Sequence, residues 1–490
     1  MLMAKKFKLK NASKLGGKMK VSKSLKKKLY FSLVAFIILG TFYYSYKQAS
    51  SERLFDYIGD EVWYVSSSRN VLHKLGINVH YVNETAGSEG VNIIVPKENE
   101  TIVKLKIWRI AQEYNYTRYI PYVNLPAVYY EIPRESFDEF LEDVSSIEGV
   151  EIIPGFMYPD KNDINEYLNT EHPYLAKGLI SLGMLIEDKP INWRLPGLIG
   201  HLIINLLVFL ATLKISKSYL ASFIALIFVA FDPLLYATSL AAMLDIHVAL
   251  FTAIFMYAMI IDDFPASGVS IGLAAATKLN GAFAYPVLFI KLLRSKISKK
   301  MVFFTGIVLP ALAFLLSNLP LIILLGFRGW AYDFASSFKW HLSYKGEHPA
   351  NSPFWEWFIS LKPFPFHYNP DVFAATDPIL MLSMVVFVFA IPYAAKKRGK
   401  ILVPFGIFWS TIVFYALQWI LGGKTQFSFY ATPLVPPGAV VLGVMAYEII
   451  KWEYFENSLR MYWEFIVSAF SWLKGKIPKR KATPSRSQEE

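Results

Sequence analysis

The chain of 490 residues contains no cysteine, so it holds neither a disulfide nor a thiolate-ligated metal. Charge is scarce too. Asp, Glu, Lys and Arg make up 18% of the residues, against about a quarter in ordinary soluble domains. No internal repeat is visible, which argues against solenoid and propeller architectures. The first apolar stretch has a long basic leader and no small-residue cleavage site close behind it, which points away from a removable signal peptide.

Apolar surface fills the space that charge leaves. Hydrophobic residues reach 54%, aromatic residues 16% and the mean hydropathy +0.34, more than a soluble core requires. Runs long enough to cross roughly 30 Å of hydrocarbon lie at 29–46, 193–213, 219–236, 241–261, 301–325, 379–395, 401–421 and 432–450. The formal net charge of +12 comes from Lys and Arg at the ends of these runs: residues 5–28, Lys214 and Lys217, 294–300 and 396–400. They form no stripe on a soluble domain, so the expected partner is the bilayer and not nucleic acid. Placing these clusters in the cytoplasm makes residues 267–290 two short helices that go out and return, with Lys278 near their outer tip. The reading is then an all-α polytopic membrane protein of about ten transmembrane helices with both termini inside.

The same topology divides the chain. Residues 1–28 are a basic cytoplasmic tail, 29–46 the first transmembrane helix, 47–170 an extracytoplasmic loop, and 171–325 the membrane core. A second extracytoplasmic loop at 326–378 leads to C-terminal transmembrane helices at 379–450 and a basic cytoplasmic tail at 451–490. In that tail Trp463, Phe465, Ile466, Phe470 and Trp472 predict a helix lying on the inner membrane surface. The first loop stops looking like membrane between about 77 and 165. Strands are predicted at 91–95, 127–132 and 150–154 and helices at 102–113 and 134–146, a small α+β insertion. Its triplets Asn83-Glu84-Thr85, Asn99-Glu100-Thr101 and Asn115-Tyr116-Thr117 are glycosylation-type acceptors, consistent with an outside location.

Charged residues at a bilayer rim suggest chemistry on a lipid-linked substrate. Displacing a sugar from a polyprenyl phosphate needs a base for the acceptor hydroxyl and positive charge for the departing phosphate. Asp60 or Glu61, just beyond the first span, supplies the base. Lys177, Arg194 and Lys278, all near the predicted outer boundary, supply the cations. Asp232, Asp245 and His247 lie in or beside apolar helices and must face the bundle or its mouth. Each has a blander reading: solvated loop carboxylates, snorkelling cations, and Trp355 and Trp357 as interface anchors. Asp60, Glu61, Glu171 and His172 would be divalent-metal ligands if their loops converged, but the fixed cations make a metal unnecessary, and no cofactor is expected.

Eight segments, in order, resemble the motifs of the protein O-mannosyltransferases, membrane enzymes of the GT-C glycosyltransferase fold. Asp60-Glu61 resembles the family's Asp-Glu pair, and Glu171-His172-Pro173-Tyr174-Leu175-Ala176-Lys177 its acidic-His-Pro-Pro-Leu-Gly-Lys segment. Trp193-Arg194-Leu195-Pro196-Gly197 is similar to the Arg-containing start of its next span, and Phe231-Asp232-Pro233 with Met243-Leu244-Asp245 to two intramembrane Asp motifs. Thr277-Lys278-Leu279-Asn280-Gly281 resembles the Lys-Trp-x-Gly turn. Glu347-His348-Pro349-Ala350-Asn351-Ser352-Pro353-Phe354-Trp355-Glu356-Trp357 resembles the His-Pro-x-x-Ser-x-x-Trp-x-Trp signature, and Gln426 to Pro433, with Tyr430, a late aromatic-Tyr-x-x-Pro motif.

The resemblance implies an inverting transfer of mannose from dolichyl (polyprenyl) phosphate mannose to Ser or Thr hydroxyls of proteins, at the outer face of the cell membrane and in a prokaryotic, archaeal-type enzyme. Asp60 would be the base and Glu61 would hold the acceptor; Lys177, Arg194 and Lys278 would hold the lipid phosphate. Glu171, His172, Asp232, Asp245, His348, Trp355, Trp357, Gln426 and Tyr430 would line the donor and acceptor pocket. Dimers are known among eukaryotic relatives. Departures are Leu240 where relatives have Arg, Tyr174 for Pro, Ala176 for Gly, and an insertion without a recognised counterpart; they leave the acceptor most open. The alternatives are another GT-C transferase acting on a lipid or glycan, as the aminoarabinose transferases do, and, more distantly, a transporter.

Overall fold

The computed structural model describes residues 23–161, 163–343, 348–449 and 451–476. The outer parts of both basic tails, 1–22 and 477–490, and Glu347 of the His-Pro segment lie outside the described residues.

The chain opens with α1 (Lys23–Ala49), a short turn, and α2 (Glu61–Lys74). The insertion follows as β1 (Val82–Asn83), β2 (Ser88–Ile94), α3 (Glu100–Glu113), β3 (Arg118–Pro121), β4 (Ala127–Pro133), α4 (Phe137–Ser145) and β5 (Glu151–Pro154). The bundle then runs through α5 (Leu175–Met184), α6 (Pro190–Ser216), α7 (Tyr219–Ala230), α8 (Pro233–Leu240), α9 (Leu244–Ile261), α10 (Phe264–Thr277) and α11 (Tyr285–Arg294). It continues with α12 (Lys299–Phe303), α13 (Leu309–Ser317) and α14 (Leu319–Ser343), which is broken at Gly326. The two-stranded β6 (Phe364–His367) and β7 (Val372–Ala374) precede α15 (Pro378–Val388), α16 (Ile391–Lys397), α17 (Leu402–Ile420), α18 (Val435–Ile449) and α19 (Glu453–Lys476).

Among the described residues six helices are long and apolar enough to cross a membrane, or eight if two bent pairs each count as one span: α7 with α8 at 48° and α15 with α16 at 82°. The expected ten crossings are not matched by ten such elements. α10 and α11, 14 and 10 residues long, are too short to span singly at about 1.5 Å per residue. The spans differ in what surrounds them. α9 is 83% buried among its neighbours, whereas α1 is 17% buried and turns its Leu, Phe and Tyr side chains outward. Apolar helix surface of that kind suits lipid contact, and α9 forms the interior of the bundle.

The insertion folds by strict alternation. Val91 and Ile93 of β2 and Val128, Tyr130 and Ile132 of β4 face Val103, Ile107, Phe140 and Val144 of α3 and α4. Between them Asn92 and Tyr129 point to the other face, which is covered by Tyr122, Tyr158 and Ile164. All pairings are antiparallel, with β5, β2, β4 and β3 adjacent in that order, so β2–α3–β3–β4–α4–β5 is a split βαββαβ unit. The unit is fastened to α2. Arg69 donates to Asp188 at 2.6 and 3.0 Å, and Asp188 also accepts from Phe156 N at 2.9 Å and Trp193 Nε1 at 2.7 Å. Asn70 and Ser67 bond the carbonyls of Ile164 and Leu168. α2 is thus the spine joining insertion, α5 and α6, and Asp60 is the residue at its head.

Candidate active site

Asp60 precedes the first turn of α2 and does not cap it with its side chain. Gly59 before it has a φ of +54°, and a Cβ there would lie 2.9 Å from the Phe366 ring, so the turn that presents Asp60 requires glycine. Glu61 fixes this turn from behind. Its Oε2 accepts from Ile58 N at 2.8 Å and its Oε1 from Ala242 N at 2.7 Å. Both oxygens receive the Arg194 guanidinium at 2.8 Å, and Arg194 also donates to the carbonyls of Ala49, Leu54 and Asp56. Neither side chain is exposed. The pair is a rivet between the end of α1, the Asp60 turn, α6 and the strand-like residues leading into α9.

The donors of Arg194 are taken up by Glu61 and three carbonyls, and the oxygens of Glu61 by Arg194 and two backbone N–H groups, so within the fold both residues serve the protein's own structure. The same holds for Lys177: its ammonium, fully buried, donates to the carbonyls of Leu168, Asn169 and His172 and stitches the loop before α5. Asp232 caps α8 through Leu235 N at 2.8 Å.

Lys278 is the expected cation that remains at the site. α10 ends there, and Gly281 closes the turn with its N–H on the Lys278 carbonyl at 2.8 Å; a Cβ on Gly281 would stand 2.1 Å from the Ala274 carbonyl oxygen. The Lys278 ammonium lies 3.0 and 3.1 Å from the two oxygens of Asp245 at the head of α9, and 4.0 Å from the centre of the Tyr430 ring. Asp60 faces this assembly. Burial pushes its carboxyl up to about 6; Lys278 pulls it down, Asp245 pushes it further up, and the Tyr64 hydroxyl and His348 pull it down.

The wall is built from the late segments. Gln426 is fully buried and spent on structure: it donates to the Tyr415 carbonyl at 2.9 Å and accepts from Phe354 N at 3.0 Å. Trp357 is buried with its Nε1 on the Ser352 carbonyl, whereas Trp355 is 46% exposed, edge-on to Trp419. His348 is exposed at the mouth and stacks on Phe364. Glu171 accepts from Tyr167 and Asn169, and His172 lies against the Tyr64 ring at 6.0 Å, both on the loop beside Asp60. The structure thus brings Asp60, Asp245, Lys278, Tyr430 and His348 together. Tyr64, one helical turn after Asp60, joins them; its (i, i+4) spacing was the only sequence signal for it. Among the described residues no three His, Asp or Glu side chains converge as metal ligands, and Glu61, needed for the set expected from sequence, is bound to Arg194.

An apolar cavity of about 420 Å³ adjoins the Lys278 turn, lined by Ala275 and Ala282 on its two sides and by Tyr285, Pro310, Phe314 and Trp330 further out.

No protein-family model matches the chain, and no curated protein does. Among solved structures it is similar to ArnT from Cupriavidus metallidurans bound to undecaprenyl phosphate, with a TM-score of 0.48 and 12% identity over 94% of this chain and 67% of that one. It is also similar to the Archaeoglobus fulgidus oligosaccharyltransferase in its apo form, with a TM-score of 0.46 and 13% identity over 90% of this chain and 55% of that one.

Proposed function

We propose that this chain is an integral membrane glycosyltransferase of the GT-C kind that moves a sugar, mannose on the motif resemblance, from a polyprenyl phosphate to a Ser or Thr hydroxyl of a protein at the extracytoplasmic face. The observation that carries the reading is one mouth holding a base and a cation together: Asp60 opposite a Lys278 ammonium clamped by Asp245. The apolar cavity lined by Ala275 and Ala282, which flank the Lys278 turn in sequence, supports a lipid-linked donor, since it offers an isoprenoid chain a dry surface.

In the proposed reaction the acceptor oxygen attacks the anomeric carbon while Asp60 takes its proton. The bond from that carbon to the phosphate oxygen breaks, the oxygen leaves with the electron pair, and Lys278 offsets the charge that develops on it. Attack opposite the leaving group inverts the configuration. Because Arg194 and Lys177 are committed to the protein's own acceptors, Lys278 is the phosphate-facing cation in this scheme.

The test is purified protein with radiolabelled dolichyl-phosphate mannose and a Ser/Thr-rich peptide, with and without EDTA, beside Asp60→Asn. Label on the peptide that survives chelator and disappears in the variant is the expected result. Label on a lipid would retain sugar transfer and replace the acceptor. An untouched donor would remove mannosyl transfer from consideration.

A further inference from the structure

Tyr64 has one feature that packing does not require. Its ring is 4% exposed and held between α2 and the loop before α5, edge-on to His172, with Ser68 Oγ bridging the Tyr64 and Lys177 carbonyls. A phenylalanine would fill that space. The hydroxyl adds a single hydrogen bond among the described residues, to Asp60 Oδ2 at 3.4 Å. Burial and the Asp60 and Asp245 charges hold this phenol well above its ordinary value, so it is a donor throughout the working pH range.

We infer that Tyr64 is the positioning residue of the base. Its hydroxyl donates to Oδ2 of Asp60 and leaves Oδ1, unbonded among the described residues, to receive the proton of the acceptor. The inference rests on the proposed role of Asp60. Among the described residues the groups facing Asp60 include Lys278 at the α10 turn, Asp245 on α9, His348 at the mouth, and the phenols of Tyr430 and of Tyr167 on the loop before α5, with Glu171 and His172 on the same loop. Among the described residues only Tyr64 donates a hydrogen bond to the carboxylate. A hydrogen bond to the charged form favours that form, so removing it makes Asp60 harder to ionise.

The experiment titrates Asp60 without any substrate. The carboxylic C=O stretch lost from the infrared spectrum in Asp60→Asn marks its protonated form and is followed from pH 4 to 8 in wild type and Tyr64→Phe. The midpoint is expected to rise in the variant by about 0.5–1 pH unit, the equivalent of one hydrogen bond of about 1 kcal/mol. The acid limb of kcat/KM should move to higher pH with it. Trifluorotyrosine placed at position 64, a stronger donor of nearly the same shape, should lower the midpoint and serves as the test if Tyr64→Phe folds poorly. Superposed titrations in both variants would overturn the inference. Shifted midpoints in a protein that consumes no donor would uphold the Tyr64–Asp60 contact, remove its catalytic meaning and overturn the glycosyltransferase reading instead.

Discussion

Asp60 works against the stability of the fold that holds it. Its ordinary value is 3.8 and its value in the fold about 6, raised first by burial. A carboxyl raised in this way stabilises the fold fully below about 4, and that contribution is lost as pH rises through about 6. At neutral pH the ionised, desolvated group is a net cost. Asp60→Asn should therefore be more stable than wild type at pH 7.5 by about 1–2 kcal/mol, seen as a higher melting temperature, with the gap closing towards pH 4. Thermal melts at the two pH values test this, and a gap that does not depend on pH would falsify it. If Asp60 is the base proposed above, the same titration sets the rate, and kcat/KM should climb about tenfold per pH unit below 6 and level above it. Lys278→Met leaves Asp245 buried without its ion-pair partner and should lower the melting temperature; in the folded fraction kcat/KM should fall by about 100-fold or more if the ammonium stabilises the departing phosphate. Activity within a few-fold of wild type would exclude that role. The carboxylate and the lysine were legible in the sequence as residue types at a membrane rim. Which cation lies beside Asp60 was not, because Lys177, Arg194 and Lys278 are equivalent as letters and differ only in the acceptors that the fold brings to each.

Between elements, the Glu61–Arg194 rivet shows where reading along the chain stops. Its partners are 133 residues apart in sequence, and its other acceptors belong to α1 and the turn after it. No local spacing encodes such a contact. Arg194→Lys loses the planar fork that reaches two carboxylate oxygens and three carbonyls at once, and should leave a partly unpaired buried charge costing about 3–5 kcal/mol. The expected signs are a lower melting temperature and folded yield, with donor affinity unchanged in the fraction that folds. A well-folded variant that has lost donor affinity alone would return Arg194 to the phosphate. Periodicity made the long elements of the insertion readable: β4 and α3 follow their periods of two and 3.6 residues over 7 and 14 residues. β1 and β3 were not, since two and four residues, one run ending in proline, contain too little pattern to count. The break at Lys278 was legible because placing the basic clusters on one face leaves 267–290 to go out and return as two short helices.

For the molecule as a whole, the absence of cysteine turns into an experimental handle. Single cysteines introduced at Val123, which is 88% exposed beside β3, and at Lys296, in the basic loop between α11 and α12, report topology directly. An impermeant maleimide should label V123C in intact cells and K296C only after the membrane is opened. Labelling of both from one side would reverse the assignment of insertion and basic loop to opposite faces, and with it the proposed location of the site. The insertion itself is joined to the bundle through Asp188, whose carboxylate takes four donors from α2, the end of β5 and α6. Asp188→Asn is expected to loosen the insertion, read as faster proteolysis between 77 and 165, before it affects the spans.

Composition and patterning were sufficient for the class of molecule: apolar runs sized to a bilayer, basic residues at their ends, and a stretch where the period changes to that of a small α+β unit. These are local properties, carried by neighbours in the chain. The working set of Asp60, Tyr64, Asp245, Lys278 and Tyr430 exists only after α2, α9, α10 and the segment before α18 have packed. The burial and partners that the proposed roles of base and phosphate-facing cation require reach Asp60 and Lys278 from distant parts of the chain.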